Sequence, residues 1–287
     1  MQTVELVLSQ KIPRERSRKF LLELGEKIRE LSSGLDVKIE SMQLTKHRMP
    51  NLHISGDDEE AFTEVLRRSF GLNPRNVEDA LDLPIRKAHV QKPSSEGDAL
   101  LMDMGFDAHP TFNVTLRLDR LRAQLLDGRP THLQEIISRF GFFQDFPLEL
   151  RVISCNNADK CVSVELSDGQ RNLLNDWRNL PFDRITLQDA LETEILHAIR
   201  TTGLERDVAA IENLSFSTQS VVCKLGTDGQ GLVRKLGAQL NSARIFVFHP
   251  DSAVFARRER KENRNLKATK NRNRVHSFGP RGSEALK

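Results

Sequence analysis

Apolar and polar positions alternate from the start of the chain, with Val4, Leu6 and Leu8 on one side of residues 3–10; this is the period-two pattern of a half-buried strand. Pro13 opens a helix, where its missing N–H costs nothing. Phe20, Leu21, Leu24, Ile28 and Leu31 then recur at helical spacing until Gly34 ends the run. Residues 35–44 and 51–55 read as two further strands, and Asp57 stands where it caps a helix carrying Phe62, Val65, Leu66 and Phe70. A polar connector over residues 73–84 leads to a second block beginning near Ile85, with strand patterns at 100–105, 114–117, 148–153 and 162–167. Helical patterns at 118–125 and 131–140 flank the turn Asp127-Gly128-Arg129-Pro130, and Ser167 caps a helix that runs through Trp177. A third block then gives a strand at 182–187, a helix at 188–201 stopped by Gly203, strands at 208–214 and 220–225, a helix at 231–240 and a strand at 243–248.

These blocks predict an α+β chain in four parts. Residues 1–83 form a ferredoxin-like unit (βαββα) that lacks its last strand, and residues 180–255 form a complete one (βαββαβ). Residues 84–179 lie between them as a β-barrel with a helical insertion. Over residues 256–287, Arg, Lys and Asn alternate with almost no apolar side chain, so the segment cannot bury a core and is expected to be disordered.

Charge sharpens this division. The net charge is +3, but residues 257–287 hold 11 Lys and Arg against three acids, a local +8, which leaves 32 basic and 37 acidic residues elsewhere, or −5. An acidic body with a basic end is the asymmetry of a protein whose tail seeks a polyanion. Nothing approaches 18 consecutive apolar residues and the N-terminus lacks a signal-peptide layout, so a cytoplasmic protein without membrane contact is expected. Cys155, Cys161 and Cys223 have no Cys-x-x-Cys spacing and read as small buried hydrophobes. Tyrosine is absent, so any base-stacking platform must use Phe, His or the single Trp177.

The strand order through residues 85–167 resembles the OB domain repeated in the largest small-subunit ribosomal protein, the S-one type. Such barrels bind single strands through a basic groove and aromatic platforms. Leu101 stands where that family has its stacking phenylalanine, and Arg117 where it has the histidine of the third strand. Arg120 and Arg122 follow at once, so the resemblance implies RNA binding carried by Arg117, Arg120 and Arg122 more than by stacking. A spacer barrel that binds nothing is the plain alternative. The run Leu118 to Leu125, the step Phe146-Pro147-Leu148-Glu149, Asp176-Trp177-Arg178 and the segment Val222 to Asp228 together resemble a family known only as domain of unknown function 2110. That resemblance implies an archaeal, intracellular protein and supplies no activity.

Two further features carry candidate chemistry. Gly226-Thr227-Asp228-Gly229-Gln230-Gly231 is the one glycine-dense loop and precedes a helix. It resembles both a KH backbone clamp and the turn of ligand-sensing ACT domains, and it equally fits an ordinary turn capped by Asp228. In the tail, Arg257, Arg258, Arg260, Lys261, Arg264, Lys267, Lys270, Arg272 and Arg274 are interleaved with asparagines, as expected of a phosphate-binding arm. The eight histidines are scattered without metal-ligand spacing, and no Walker, Gly-x-Ser-x-Gly or dinucleotide fingerprint occurs. The expectation is a non-enzymatic RNA-binding accessory protein of translation or RNA processing, without cofactor or metal. Its alternatives are a small-ligand regulator using Gly226, Asp228, Gly229 and Gly231, or a docking factor for a ribosome or RNA polymerase assembly.

Overall fold

The computed structural model describes residues 3–74, 79, 85–91, 97–105, 112–156 and 158–251, which form an α+β protein. In the N-terminal unit β1 (Val4–Val7), β3 (Pro50–Ser55) and β2 (Lys38–Leu44) form an antiparallel sheet in the order β1-β3-β2. Leu6 of β1 and Met42 of β2 both pair with Leu52, so the alternating apolar residues share one face. Helices α1 (Ser17–Leu31) and α2 (Glu59–Phe70) cover that face with Phe20, Leu24, Ile28, Phe62, Leu66 and Phe70. The free edge of β1 is met by the chain leaving α2, through Ser9 N–H to Gly71 O at 3.0 Å and Asn73 N–H to Val7 O at 2.8 Å.

Two helix starts differ from the expectation. Pro13 does not open α1: Gln10, Lys11 and Ile12 are buried in extended chain, and Arg16 turns at φ 64° before the helix begins at Ser17. Asp58 rather than Asp57 sits at the head of α2, and its carboxylate accepts from Asp36 N–H at 2.8 Å instead of from the helix. In both places a long-range contact outranks local propensity.

The middle of the chain closes into a five-stranded barrel: β4 (Ile85–Val90), β5 (Ala99–Asp103), β6 (Asn113–Arg117), β8 (Cys161–Leu166) and β7 (Pro147–Asn156), with β7 returning to β4. Its one parallel seam joins β6 to β8. Helices α3 (Leu118–Leu125) and α4 (Leu133–Phe140) lie between β6 and β7, and α5 (Asp168–Asn179) follows β8, capped by Ser167 Oγ, which accepts from Gln170 N–H at 3.0 Å. Leu100, Met102, Val114, Leu116, Leu148, Leu150, Val162 and Val164 fill the interior.

The C-terminal unit comprises β9 (Arg184–Gln188), α6 (Glu192–Thr201), β10 (Val208–Ser215), β11 (Thr218–Cys223), α7 (Gly229–Gln239) and β12 (Arg244–Phe248), with sheet order β10-β11-β9-β12. This repeats the N-terminal order and adds a strand beside the first. Gln188 was expected to begin α6; it ends β9 instead, paired with both Thr218 and Arg244, and Asp189 then turns at φ 64°.

Every residue of β9 and of β11 is buried, because the sheet is covered on both faces. Ile185, Leu187 and Val221 pack under α6 and α7. On the opposite face Phe248 joins the barrel core, 5.6 Å from both Phe140 and Trp177. At the other junction Leu191 enters the N-terminal core, and Phe216 meets Phe20 and Phe70 edge-on at 6.3 and 6.4 Å. We expect Phe248→Ala to cost roughly 3–5 kcal/mol, since it opens a cavity shared by two units. Urea unfolding followed by Trp177 fluorescence checks this, and a loss below about 1 kcal/mol would show that the aromatic junction does not hold the barrel to the sheet.

Candidate functional site

Strand alternation turns a small polar face outward on the barrel. Leu101 lies opposite Thr115, Thr115 opposite Ser163, and Ser163 opposite Ser154. The sequence neighbours of Leu101, Thr115 and Ser163 point inward, whereas Ile153 beside Ser154, after a register shift, is exposed. Leu101 is 42% exposed. Arg117 ends β6 in extended conformation and is exposed, its Nε 3.1 Å from Asp119 Oδ1. Arg120 approaches Glu165 Oε2 at 3.6 Å, and the other oxygen of Glu165 accepts from Arg151 Nε at 2.9 Å and from its Nη2. Arg122 is turned away, its Nε donating to Thr131 O at 2.9 Å. Three guanidinium groups, those of Arg117, Arg120 and Arg151, therefore share the carboxylates of Asp119 and Glu165, a local excess of one positive charge. Sequence reading overlooked Arg151, although its place in the alternation Leu148, Leu150, Val152 marks it as outward-facing.

Trp177 is fully buried, with Nε1 donating to Glu212 Oε2 at 3.0 Å and the Arg184 guanidinium 5.7 Å from its ring, so it offers no stacking surface. Phe143 is 40% exposed but packs edge-on against Phe246. The tail cations Arg257, Arg258, Arg260, Lys261, Arg264, Lys267, Lys270, Arg272 and Arg274 lie outside the described residues. Asp251 is the last described residue before them. Asp251 pairs with Arg139 of α4 and lies 3.9 Å from Arg178, whose Nη1 donates to the carbonyl of Leu125 at the end of α3. Because α3 begins at Leu118 and eight helical residues span about 12 Å, Asp251, the last described residue, lies roughly one short helix away from Arg117.

In the glycine-dense loop, Gly226 turns at φ 86°. The amides at the head of α7 already have acceptors: Gly229 N–H donates to Asp183 Oδ2 at 2.9 Å, and Gln230 N–H to Asp228 Oδ1 at 3.3 Å. A Cβ on Gly229 would lie 3.0 Å from Val247, whereas Gly231 has space around it. The anions bound at this helix start are the protein's own carboxylates. Among the described residues no group of three or more His, Cys, Asp or Glu side chains is arranged to hold a metal, and no helix is long and apolar enough to cross a membrane.

A second polar centre, which sequence reading missed, lies where the three units meet. Lys11 is 9% exposed, and its Nζ is 2.5 Å from Asp103 of the barrel and 3.1 Å from Asp145, which precedes β7. His47 contacts the other oxygen of Asp103 at 3.0 Å, Arg48 contacts Asp145 at 2.5 Å, and Arg244 reaches Asp189 at 3.0 Å. Burial works to raise the pKa of the Asp103 carboxyl, but the His47 hydrogen bond and the Lys11 charge outweigh it and hold the group well below the usual carboxylate range. Burial likewise opposes ionisation of Asp145, and Lys11 with Arg48 again prevails. At Asp189 burial outweighs Arg244 and raises the pKa. His89, beside this cluster, is fully buried with neither ring nitrogen partnered among the described residues; burial, then the charge of Lys11, pushes its pKa down to about 3.

Two family models match, the DUF2110 central domain over residues 96–178 and the DUF2110 C-terminal domain over residues 182–248. Together they span more than half of the chain, which belongs to the DUF2110 family. The first match begins after β4, the strand that closes the barrel, and the break between the two falls between α5 and β9. No curated protein matches the sequence.

The buried histidine generates a pH prediction. With a folded pKa of about 3 against 6.5 for the free side chain, the unfolded chain takes up a proton that the folded chain refuses as pH falls through that window. Stability is therefore complete above pH 6.5 and falls below it by up to about 1.4 kcal/mol per pH unit. Asp103 and Asp145, both depressed, add a further loss that begins near the ordinary value of 3.8. Urea melts between pH 7 and about 4 should show the decline, and His89→Gln should flatten it; an unchanged slope in that variant would mean that another group carries the proton.

Proposed function

We propose that the protein binds single-stranded RNA without catalysis, using the outer face of β5, β6 and β8 together with the basic segment that follows Asp251. The observation carrying this reading is the barrel's topology combined with what its neighbours leave uncovered. Five strands closing in the order first, second, third, fifth, fourth, with helices between third and fourth, support reading the barrel as an OB unit, in which strands two and three would form the ligand face. Here those strands are β5 and β6, and the flanking units pack elsewhere, on the Asp103 end of β5 and along β4 and β7. The flanking sheets read as ferredoxin-like units, the N-terminal one missing its last strand, and serve as scaffold.

Among the described residues the face has no aromatic platform, so binding is electrostatic and sequence-tolerant, with Arg117, Arg120 and Arg151 on phosphates and the basic segment adding further contacts. The setting this fits is an accessory role in archaeal translation or RNA processing.

Fluorescence anisotropy with a labelled single-stranded RNA should show affinity falling with salt at a log–log slope of about 0.7 per phosphate contacted. Arg117→Glu with Arg151→Glu should weaken binding, and deletion from Arg257 onward should weaken it about tenfold or more, near 1.4 kcal/mol, with little change in Tm. Absence of binding at low salt, or a truncated chain binding as tightly as the full one, would refute the respective part of the reading.

A further inference from the structure

A cavity of about 180 Å³ lies where α1, the end of α2, strand β4 of the barrel and the β10–β11 hairpin converge. It is about six times the volume one water occupies in the liquid, and all three units contribute to its wall. Two buried polar atoms on that wall, Ser215 Oγ and Gln219 Oε1, have no hydrogen-bond partner among the described residues. Gln219 is 2% exposed, and its amide nitrogen is tied to the carbonyls of Ser215 and Phe216 at 3.1 and 3.2 Å, so the side chain cannot swing its oxygen to another donor. Buried groups are rarely left in this state.

The charges around the cavity come in both signs. Glu23 and Lys27 project from successive turns of α1, at the spacing where such residues ordinarily pair, yet Lys27 lies over the Phe216 ring, 5.7 Å from its centre, instead of on Glu23. Lys87 of β4 donates one of its three protons to Leu214 O at 3.0 Å. Glu192, in the first turn of α6, accepts from Asn213 Nδ2 at 3.4 Å. Phe70 and Leu191 complete the wall with apolar surface.

We propose that this cavity is a binding site for a small zwitterion of the α-amino acid class. Its carboxylate would be held by Lys27 and Lys87, its ammonium by Glu23, Glu192 and the Gln219 oxygen, with Ser215 Oγ completing the polar contacts. Charge balance selects this class: a simple anion in a space this small meets Glu23 and Glu192, a simple cation meets Lys27 and Lys87, and only a ligand carrying both charges satisfies the four together. The site is distinct from the barrel face and from the glycine loop, and the inference does not depend on RNA binding. A ligand seated here touches all three units and stabilises them jointly.

The test is titration calorimetry of the full chain against each proteinogenic α-amino acid, beside the matched amine and the matched carboxylic acid. At least one amino acid is expected to bind with a millimolar or tighter Kd and to raise Tm, the matched amine and acid binding about tenfold or more weaker. Lys27→Ala and Glu23→Gln, at an exposed and a half-buried position of α1, should each weaken binding about tenfold with unchanged circular dichroism, and Gln219→Leu should do the same from inside. No binding by any amino acid up to about 10 mM overturns the site. So does binding that survives all three substitutions, and phosphate or methylamine binding as tightly as the amino acid overturns the zwitterion assignment.

Discussion

The ammonium of Lys11 between the carboxylates of Asp103 and Asp145 is the contact on which the arrangement of the three units depends. It draws an N-terminal strand extension into the barrel at two separate points, one at the end of β5 and one ahead of β7. Removing one member of such a buried set leaves an uncompensated charge, a loss of roughly 3–5 kcal/mol, whereas desolvation offsets most of what the intact set contributes. The triad therefore acts mainly as a geometric constraint. The placement of the N-terminal unit that brings Lys11 to both carboxylates also lets Ser217 Oγ donate to Lys11 O at 3.0 Å and Phe216 N–H to Gln10 Oε1 at 2.8 Å. His89 is held neutral beside this centre first because burial disfavours its charged form and then because of the Lys11 charge, which together outweigh Asp103 and Asp145.

Apolar contact supplies the adhesion that the charges orient. The C-terminal sheet is the central layer, with helices on one face and the barrel on the other, and β12 contributes to both through Ile245 and Val247 on one side and Phe246 and Phe248 on the other. A glycine is required at 141 for the same reason: it turns at φ 70°, and a Cβ there would lie 2.4 Å from the Phe246 ring. With the sheet committed on both faces and the barrel committed along β4 and β7, the outward side of β5, β6 and β8 is left uncovered by the flanking units among the described residues. The proposed contact with a phosphate backbone, more than with a base, rests on that polar, weakly basic surface.

The candidate face was partly legible in sequence. Arg117 and Arg120 stand out because they interrupt an apolar run, and period two places Arg117 outside. The fate of Arg122, folded back on Thr131, depends on how the turn after α3 closes, which no local pattern encodes. Trp177 reads equally well as platform or core until Phe248, distant in sequence, is seen to pack against it. Asp228 was readable as a helix cap from its position before α7, whereas the second carboxylate at that helix start, Asp183, comes from a segment 46 residues earlier.

What the sequence determined by itself is the kind and order of elements: twelve strands and seven helices among the described residues follow from apolar periodicity, glycine and proline placement and a few caps, all of which act over a handful of residues. Tertiary structure alone decided where α1 and α6 begin, because Gln10 to Ile12 and Gln188 are held in extended chain by partners far along the sequence. It also decided which charges are internal. Lys11, Asp103 and Asp145 look like any surface residues in sequence, since a burial that depends on residues 92 positions apart leaves no short-range trace. The cavity bounded by Lys27, Lys87 and Gln219 arises in the same way, from three units that bring side chains of both signs together only after each has folded.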